Sequence, residues 1–415
     1  MMNQKVELLS PAGSFESLMA AIRGGADAVY FGVAQLNMRA KSIRSFTIQD
    51  LAEISAVCKQ ARVKTYLTLN TVMYDHDMTL IRNILSEVKK HGIDAVIASD
   101  FSVMEMCRQL QIPLHISTQA NVTNVEALKF FTPFADVVVL ARELSLKQVK
   151  HITSAIIREN IRGISGELMR VEVFAHGALC MAVSGKCYLS LHEQNASANR
   201  GACTQNCRRP YKVIDLETNN ELVVDNEYIM SPKDLCTIDI LDQLADAGVS
   251  VLKIEGRGRS ADYVYTATKC YREALSALAD GTYNQVKIAM WKQQLETVYN
   301  RGFWEGYYLG RKLGEWTQDP GSAATEKKIY VGKPTHYFPK IGVAEFLIEA
   351  GSLKQGDTVL VTGKHFGAEK LTLNDFRVNG TVMPEGKKGD MITFSFPFKT
   401  TRSDKLYKIV QAKDA

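Results

Sequence analysis

Short apolar, β-branched runs alternate along this chain with longer stretches that repeat apolar residues every three or four positions. VELLSPAG, the first such run, is closed by Pro11 and Gly13. SFESLMAAIRGG follows, with Ser14 placed to cap a helix and Gly24 to end it, so the opening unit is strand, turn, helix. Runs of the same kind recur at 27–32, 64–70, 94–100, 113–119, 136–141, 171–177 and 249–256. Helical periodicity fills the intervals at 47–60, 78–91, 101–110, 122–130, 145–158 and 234–247. Eight strands with helices between them predict an α/β fold, a TIM-barrel-like parallel (β/α)8 domain. An open doubly wound sheet has a similar signature, but no GxGxxG turn follows the first strand.

Residues 260–310 read as helix and close the first predicted domain, 1–325. Beyond PGSAATEKK the pattern changes to β-rich alternation with frequent glycine, and Asn379-Gly380 is a dipeptide suited to a tight hairpin. The expectation for 326–415 is a small C-terminal β-barrel, an accessory domain that holds RNA.

Composition narrows the function classes. The 415 residues are 46% hydrophobic and 23% charged, which excludes a largely disordered polyelectrolyte. The absence of a run of some 18 apolar residues excludes a membrane span, and MMNQKVELLSPAGS lacks the order of an export signal. A cytoplasmic protein is expected. The net charge of +5 comes from the last segment, where residues 326–415 carry 15 basic and 10 acidic side chains and the remainder balances at 35 of each. That excess serves either solubility or attraction to a phosphate backbone.

Polar residues at the carboxyl ends of the predicted strands would meet above the barrel core, where such folds place their chemistry. Asn70, Asp100, His115, Gln119, His176, Lys253, Glu255 and Arg257 belong to that rim. His115 and His176 suit acid–base work near neutral pH, with Asp100 and Glu255 as proton carriers. Arg39, Arg208, Lys253 and Arg257 would make the mouth basic, with Asn70 and Gln119 as further substrate-binding residues.

The densest chemical signal is HGALCMAVSGKCYLSLHEQNASANRGACTQNCRRPY, followed by MSPKDLC. Five of the eight cysteines lie here: Cys180, Cys187, Cys203, Cys207 and Cys236. Thiolates crowded into one loop suit an iron–sulfur cluster or a structural zinc. The CxxxC pair departs from the common CxxC zinc spacing and brings no histidine set, which favours a 4Fe-4S cluster. Cys180, Cys187, Cys207 and Cys236 are the expected ligands, with Cys203 as neighbour or substitute, and zinc is the alternative metal.

These elements together resemble the collagenase-like U32 peptidase family. The segments that carry the likeness are ELLSPAGSFESLMAAIRGGADAVYFG, FAHGALCMAVSGKCYLS, RGACTQNCRRPY, SPKDLC and KIEGR. By length and architecture the chain looks nearest to the tRNA-hydroxylating branch of that family. The resemblance implies an enzyme, an iron–sulfur-dependent hydroxylase that converts the wobble uridine of tRNA to 5-hydroxyuridine without oxygen. It also implies prephenate as a required co-substrate, and an electron donor or accessory protein as partner. In that family the cluster ligands correspond to Cys180, Cys187, Cys207 and Cys236 of this sequence. The alternatives are a U32-type, collagenase-like protease and a hydroxylase of ribosomal RNA.

Overall fold

A computed structural model describes residues 6–33, 36–38, 46–183, 185–211, 217, 230–311, 314–318 and 321–414. The first ten strands are β1 (Glu7–Pro11), β2 (Ala28–Phe31), β3 (Lys64–Leu69), β4 (Ala95–Ala98), β5 (Leu114–Ile116), β6 (Val137–Val139), β7 (Arg170–Gly177), β8 (Asp234–Cys236), β9 (Val251–Ile254) and β10 (Phe303–Trp304). Strands β1 to β7 pair in parallel in chain order, and β9 closes the ring by pairing with both β1 and β7. The result is a closed, eight-stranded parallel barrel. Strand β8 joins its rim from outside, antiparallel to the end of β7 through His176 and Gly177, and β10 pairs with β8.

Helices α1 (Phe15–Arg23), α2 (Leu51–Ala61), α3 (Met78–His91), α4 (Phe101–Leu110), α5 (Val125–Phe130) and α6 (Leu146–Arg158) cover the barrel from outside. Their ends follow local chemistry. The Ser14 side chain accepts from the Ser17 amide at the start of α1, and Ser145 with Gln148 forms a capping box on α6. After the short α7 (Leu189–Gln194) and α8 (Leu241–Asp246), α9 (Ala261–Ala279) and α10 (Gln285–Glu296) complete the shell. Among the described residues, no helix is long and apolar enough to cross a membrane.

Two apolar layers hold this half together. One lies between strands and helices, and a smaller set, including Leu9, Tyr30, Tyr66, Ile97 and Val251, fills the barrel interior. Burying such surface contributes roughly 25 cal/mol per Å². Several interior positions are nevertheless ionisable, and these become important at the mouth.

The remaining strands are β11 (Glu326–Phe338), β12 (Val343–Ile348), β13 (Ser352–Lys354), β14 (Thr358–Gly363), β15 (Gly367–Thr372), β16 (Phe376–Val378), β17 (Thr381–Val382), β18 (Glu385–Lys387), β19 (Met391–Ser395) and β20 (Lys405–Gln411). Eight of them form one antiparallel sheet in the order β15, β14, β20, β11, β12, β19, β16, β17, and β13 pairs with β18 alone. The expected C-terminal β-barrel is therefore corrected to an open sheet. Among the described residues its two end strands, β15 and β17, share no ladder.

Two physical reasons account for this. Strand β17 offers only two exposed residues, too little edge to close a cylinder. Strand β15 is already occupied by the barrel. Gly367, at φ +80°, lies against α1 so closely that a Cβ would come within 2.5 Å of the Ala20 nitrogen. Arg23 donates from α1 to the carbonyls of Phe366 (2.7 Å) and Ala368 (2.9 Å) and pairs with Glu369. Asn379 and Gly380 both take positive φ, 49° and 86°, and make the tight turn between β16 and β17.

Candidate functional site

The carboxyl ends of the barrel strands surround a cavity of about 250 Å3, roofed by the loop that follows β7. Among the described residues six cationic side chains line it, Arg142, Arg208, Lys253, Arg257, Arg259 and Arg301, against one carboxylate, Glu255. Asn70, Gln119 and Tyr30 line it as well.

The floor is built by residues that point inward from the strands. On β9, Lys253 donates to Glu172 Oε1 of β7 at 2.7 Å, and its ammonium sits 4.5 Å from the centre of the Tyr30 ring. Burial pushes the Glu172 carboxyl upward, but Lys253 and His115 outweigh that cost and hold it down at about 2. His115 Nδ1 stands 3.6 Å from Glu172 Oε2, and neither atom has a hydrogen-bond partner. The imidazole lies against Tyr66, with ring centres 4.4 Å apart. Tyr30 donates to Glu255 Oε2 at 3.0 Å, and burial together with that carboxylate keeps its phenol protonated.

The walls follow from the loops after the strands. Arg257 donates to Asn37 Oδ1 at 3.0 Å and Thr68 Oγ1 at 2.8 Å. Gly32 makes room for this arrangement, since a Cβ there would meet Arg257 Nη1 at 2.6 Å. Arg142 lies 3.7 Å over the Phe174 ring and donates to the Ala178 carbonyl. Arg208 is committed to the loop itself, donating to Ser231 Oγ and to the carbonyls of Pro232 and Leu179. Asn70 donates to Gln119 Oε1 at 3.2 Å, and Ser117 bonds the same oxygen.

The expected site residues thus fall into three groups. Asn70, Gln119, Arg208, Lys253, Glu255 and Arg257 meet at the cavity. His115 lies beneath its floor. Asp100 caps α4, accepting from Ser102 and Met73 amides, and His176 is enclosed by Tyr263, Tyr271 and Phe303, where burial and Arg259 lower its pKa to about 3. Arg39 lies outside the described residues. The sequence reading missed Glu172 and Arg301. A charged residue inside the apolar run VEVFAHG was a signal for the first; nothing local marks the second.

The cysteine expectation requires correction. Cys180, Cys187, Cys203 and Cys207 line the cavity, whereas Cys236 turns into the core beside the Tyr271 hydroxyl, where burial pushes its thiol up to about 11. Burial also raises the Cys207 thiol, opposed by Arg208. Among the described residues, no three His, Cys, Asp or Glu side chains are gathered as a site for a metal ion. The quartet Cys180, Cys187, Cys207 and Cys236 is not assembled, and with it the expected 4Fe-4S cluster, its zinc alternative and the iron–sulfur-dependent tRNA hydroxylase built on them lose their structural ground.

Known proteins place the chain differently from the expected tRNA-hydroxylating branch. It is 52% identical over 402 residues to the protein of Porphyromonas gingivalis named Collagenase, covering 97% of each chain. To tRNA hydroxylation protein P1 of Bacillus subtilis it is 32% identical, covering 74% of this chain and 72% of that one. Similarity to the 23S rRNA 5-hydroxycytidine C2501 synthase of Escherichia coli is 31% identity over 92% of this chain and 57% of that one. The nearer likeness is to Collagenase, which corrects the branch. A family model described as Peptidase family U32 matches residues 13–318, which hold every barrel strand after β1 and every described cavity-lining side chain, and the chain belongs to that family.

Proposed function

We propose that this chain is a U32-type peptidase that hydrolyses peptide bonds at the barrel mouth. The observation that carries this reading is its 52% identity, over 97% of both chains, to the protein named Collagenase. The cavity supports it chemically. Glu255, held by Tyr30, is the one carboxylate lining the cavity among the described residues and serves as the base that takes a proton from water. The water oxygen adds to the peptide carbonyl, whose oxygen gains negative charge opposite Lys253 and Arg257. The C–N bond then breaks as the proton passes to the departing amine. A cavity of about 250 Å3 accommodates one strand, so the substrate is a short or unwound peptide rather than three intertwined chains.

Incubation of the purified protein with gelatin and fluorogenic peptides tests this reading. Cleavage is expected, with a loss of about a hundredfold or more in kcat for Glu255→Gln. A second reading, modification of a base in ribosomal RNA, is favoured by the likeness to the 23S rRNA 5-hydroxycytidine synthase. Intact peptides, together with a modified ribosomal nucleoside lost on gene deletion and restored only by the unaltered gene, would overturn the first reading in favour of the second.

A further inference from the structure

Beside the cavity, two arginines share one buried acid. Asp234, on β8, is 1% exposed, and its Oδ1 has no hydrogen-bond partner among the described residues. Arg301 Nη1 approaches that oxygen at 3.5 Å, and Arg259 Nη2 approaches Oδ2 at 3.9 Å. Both distances exceed those of good charge-assisted hydrogen bonds. The two guanidiniums are held from the side instead, stacked over the Tyr299 ring with centroid distances of 3.7 Å for Arg259 and 5.3 Å for Arg301. Their side chains are only 17% and 10% exposed, yet both line the cavity.

A guanidinium carries five donors in a fixed fork, and the long contacts to Asp234 leave fork donors of both arginines available to a ligand in the cavity. Two cations flanking one carboxylate, with Arg208 also near it, leave positive charge over. A further carboxylate set between the two arginines would balance the charge and take their forks in bidentate geometry. Asp234 engages the pair through separate oxygens, Oδ1 towards Arg301 and Oδ2 towards Arg259.

We propose that Arg259 and Arg301, backed by Asp234, form a carboxylate-binding subsite that selects an acidic side chain of the peptide beside the bond to be cleaved. This rests on the peptidase reading for the identity of the ligand, but not for the binding itself. Arg208 gives its own hydrogen bonds to the loop, so the surplus of the facing pair itself matches one carboxylate, whereas a phosphate monoester carries about −1.5 to −2 at neutral pH.

Ligand-observed NMR titration of the full chain tests the subsite without any need for turnover. The probes are N-acetylglutamate amide, its neutral glutamine counterpart and cytidine monophosphate. Binding of the glutamate probe at least about tenfold tighter than the glutamine probe is expected, with Arg301→Met abolishing the difference. Asp234→Asn, which removes the competing carboxylate and keeps its shape, is expected to tighten glutamate binding, a gain that general damage to the fold would not produce. Should the methionine variant fail to fold, Arg301→Lys keeps the charge without the fork and is expected to bind between the two. Equal or absent binding of the two amide probes overturns the proposal. So does Arg301-dependent binding of cytidine monophosphate alone, which would assign the pair to nucleotide phosphate. Glutamate-selective binding without cleavage of any glutamate-containing peptide would uphold the subsite and sink the peptidase reading.

Discussion

His176 is a buried imidazole kept neutral by its surroundings, and the consequence is measurable. Its folded pKa of about 3 lies below the ordinary value of 6.5. Between those values the unfolded chain binds a proton that the folded chain refuses, so this residue withdraws stability as pH falls from 6.5 towards 3, by about 1.4 kcal/mol per unit once the unfolded form is fully protonated. Urea midpoints measured from pH 7 to pH 4 are expected to fall less steeply in His176→Phe than in the unaltered protein; parallel slopes would show that other groups dominate. His176 and His115 read alike in sequence, each a histidine near the end of a strand. What separates them is across-barrel geometry, since one meets three aromatic rings and the other a carboxylate. The same holds for the cysteines. Spacing grouped Cys236 with the loop thiols, but its place on β8 turns it into the core while the other four reach the cavity.

At the scale of elements, the seam between α1 and β15 depends on one arginine and one glycine. Arg23 satisfies two carbonyls, pairs with Glu369 and lies 4.3 Å over the Phe398 ring. Arg23→Met removes those donors and leaves the carbonyls without them, a cost of about 2 kcal/mol read as a lower urea midpoint. Gly367→Val is expected to destabilise further, because positive φ and the contact with Ala20 both reject a branched side chain. Neither effect could be read from local pattern. Alternation in the final segment marked strands, and Asn379-Gly380 marked a turn, yet whether a set of strands closes is decided by what lies along its edges. Here a helix some 345 residues away in sequence takes one of them. Periodicity served the barrel better, because parallel strands buried on both faces are short apolar runs and helices with one buried face repeat every three or four residues.

For the molecule as a whole, some of the charge serves internal attachment. In the last segment Lys328 pairs with Asp262 and Lys364 with Glu53 of the barrel half, while Lys333, Lys370 and Lys408 pair with Glu349, Glu326 and Asp357, and the segment's net positive charge remains. These pairs are partly exposed, and each contributes little by itself. The cavity concentrates charge of one sign, with six cations among its described lining residues against the single carboxylate of Glu255, even though Lys253 also pairs with Glu172 beneath it. Counting residues located the first imbalance and not the second, because the first half of the chain is neutral as a sum and basic only where eight strand ends converge.

The seam between α1 and β15 has a practical corollary for anyone who wishes to work with the barrel by itself. A gene cut after residue 325 would yield a product whose first helix presents bare greasy surface and a stranded guanidinium to solvent. Such a product is expected to clump in the supernatant after lysis, and co-expression of the missing ninety residues should restore it to a discrete peak on size exclusion.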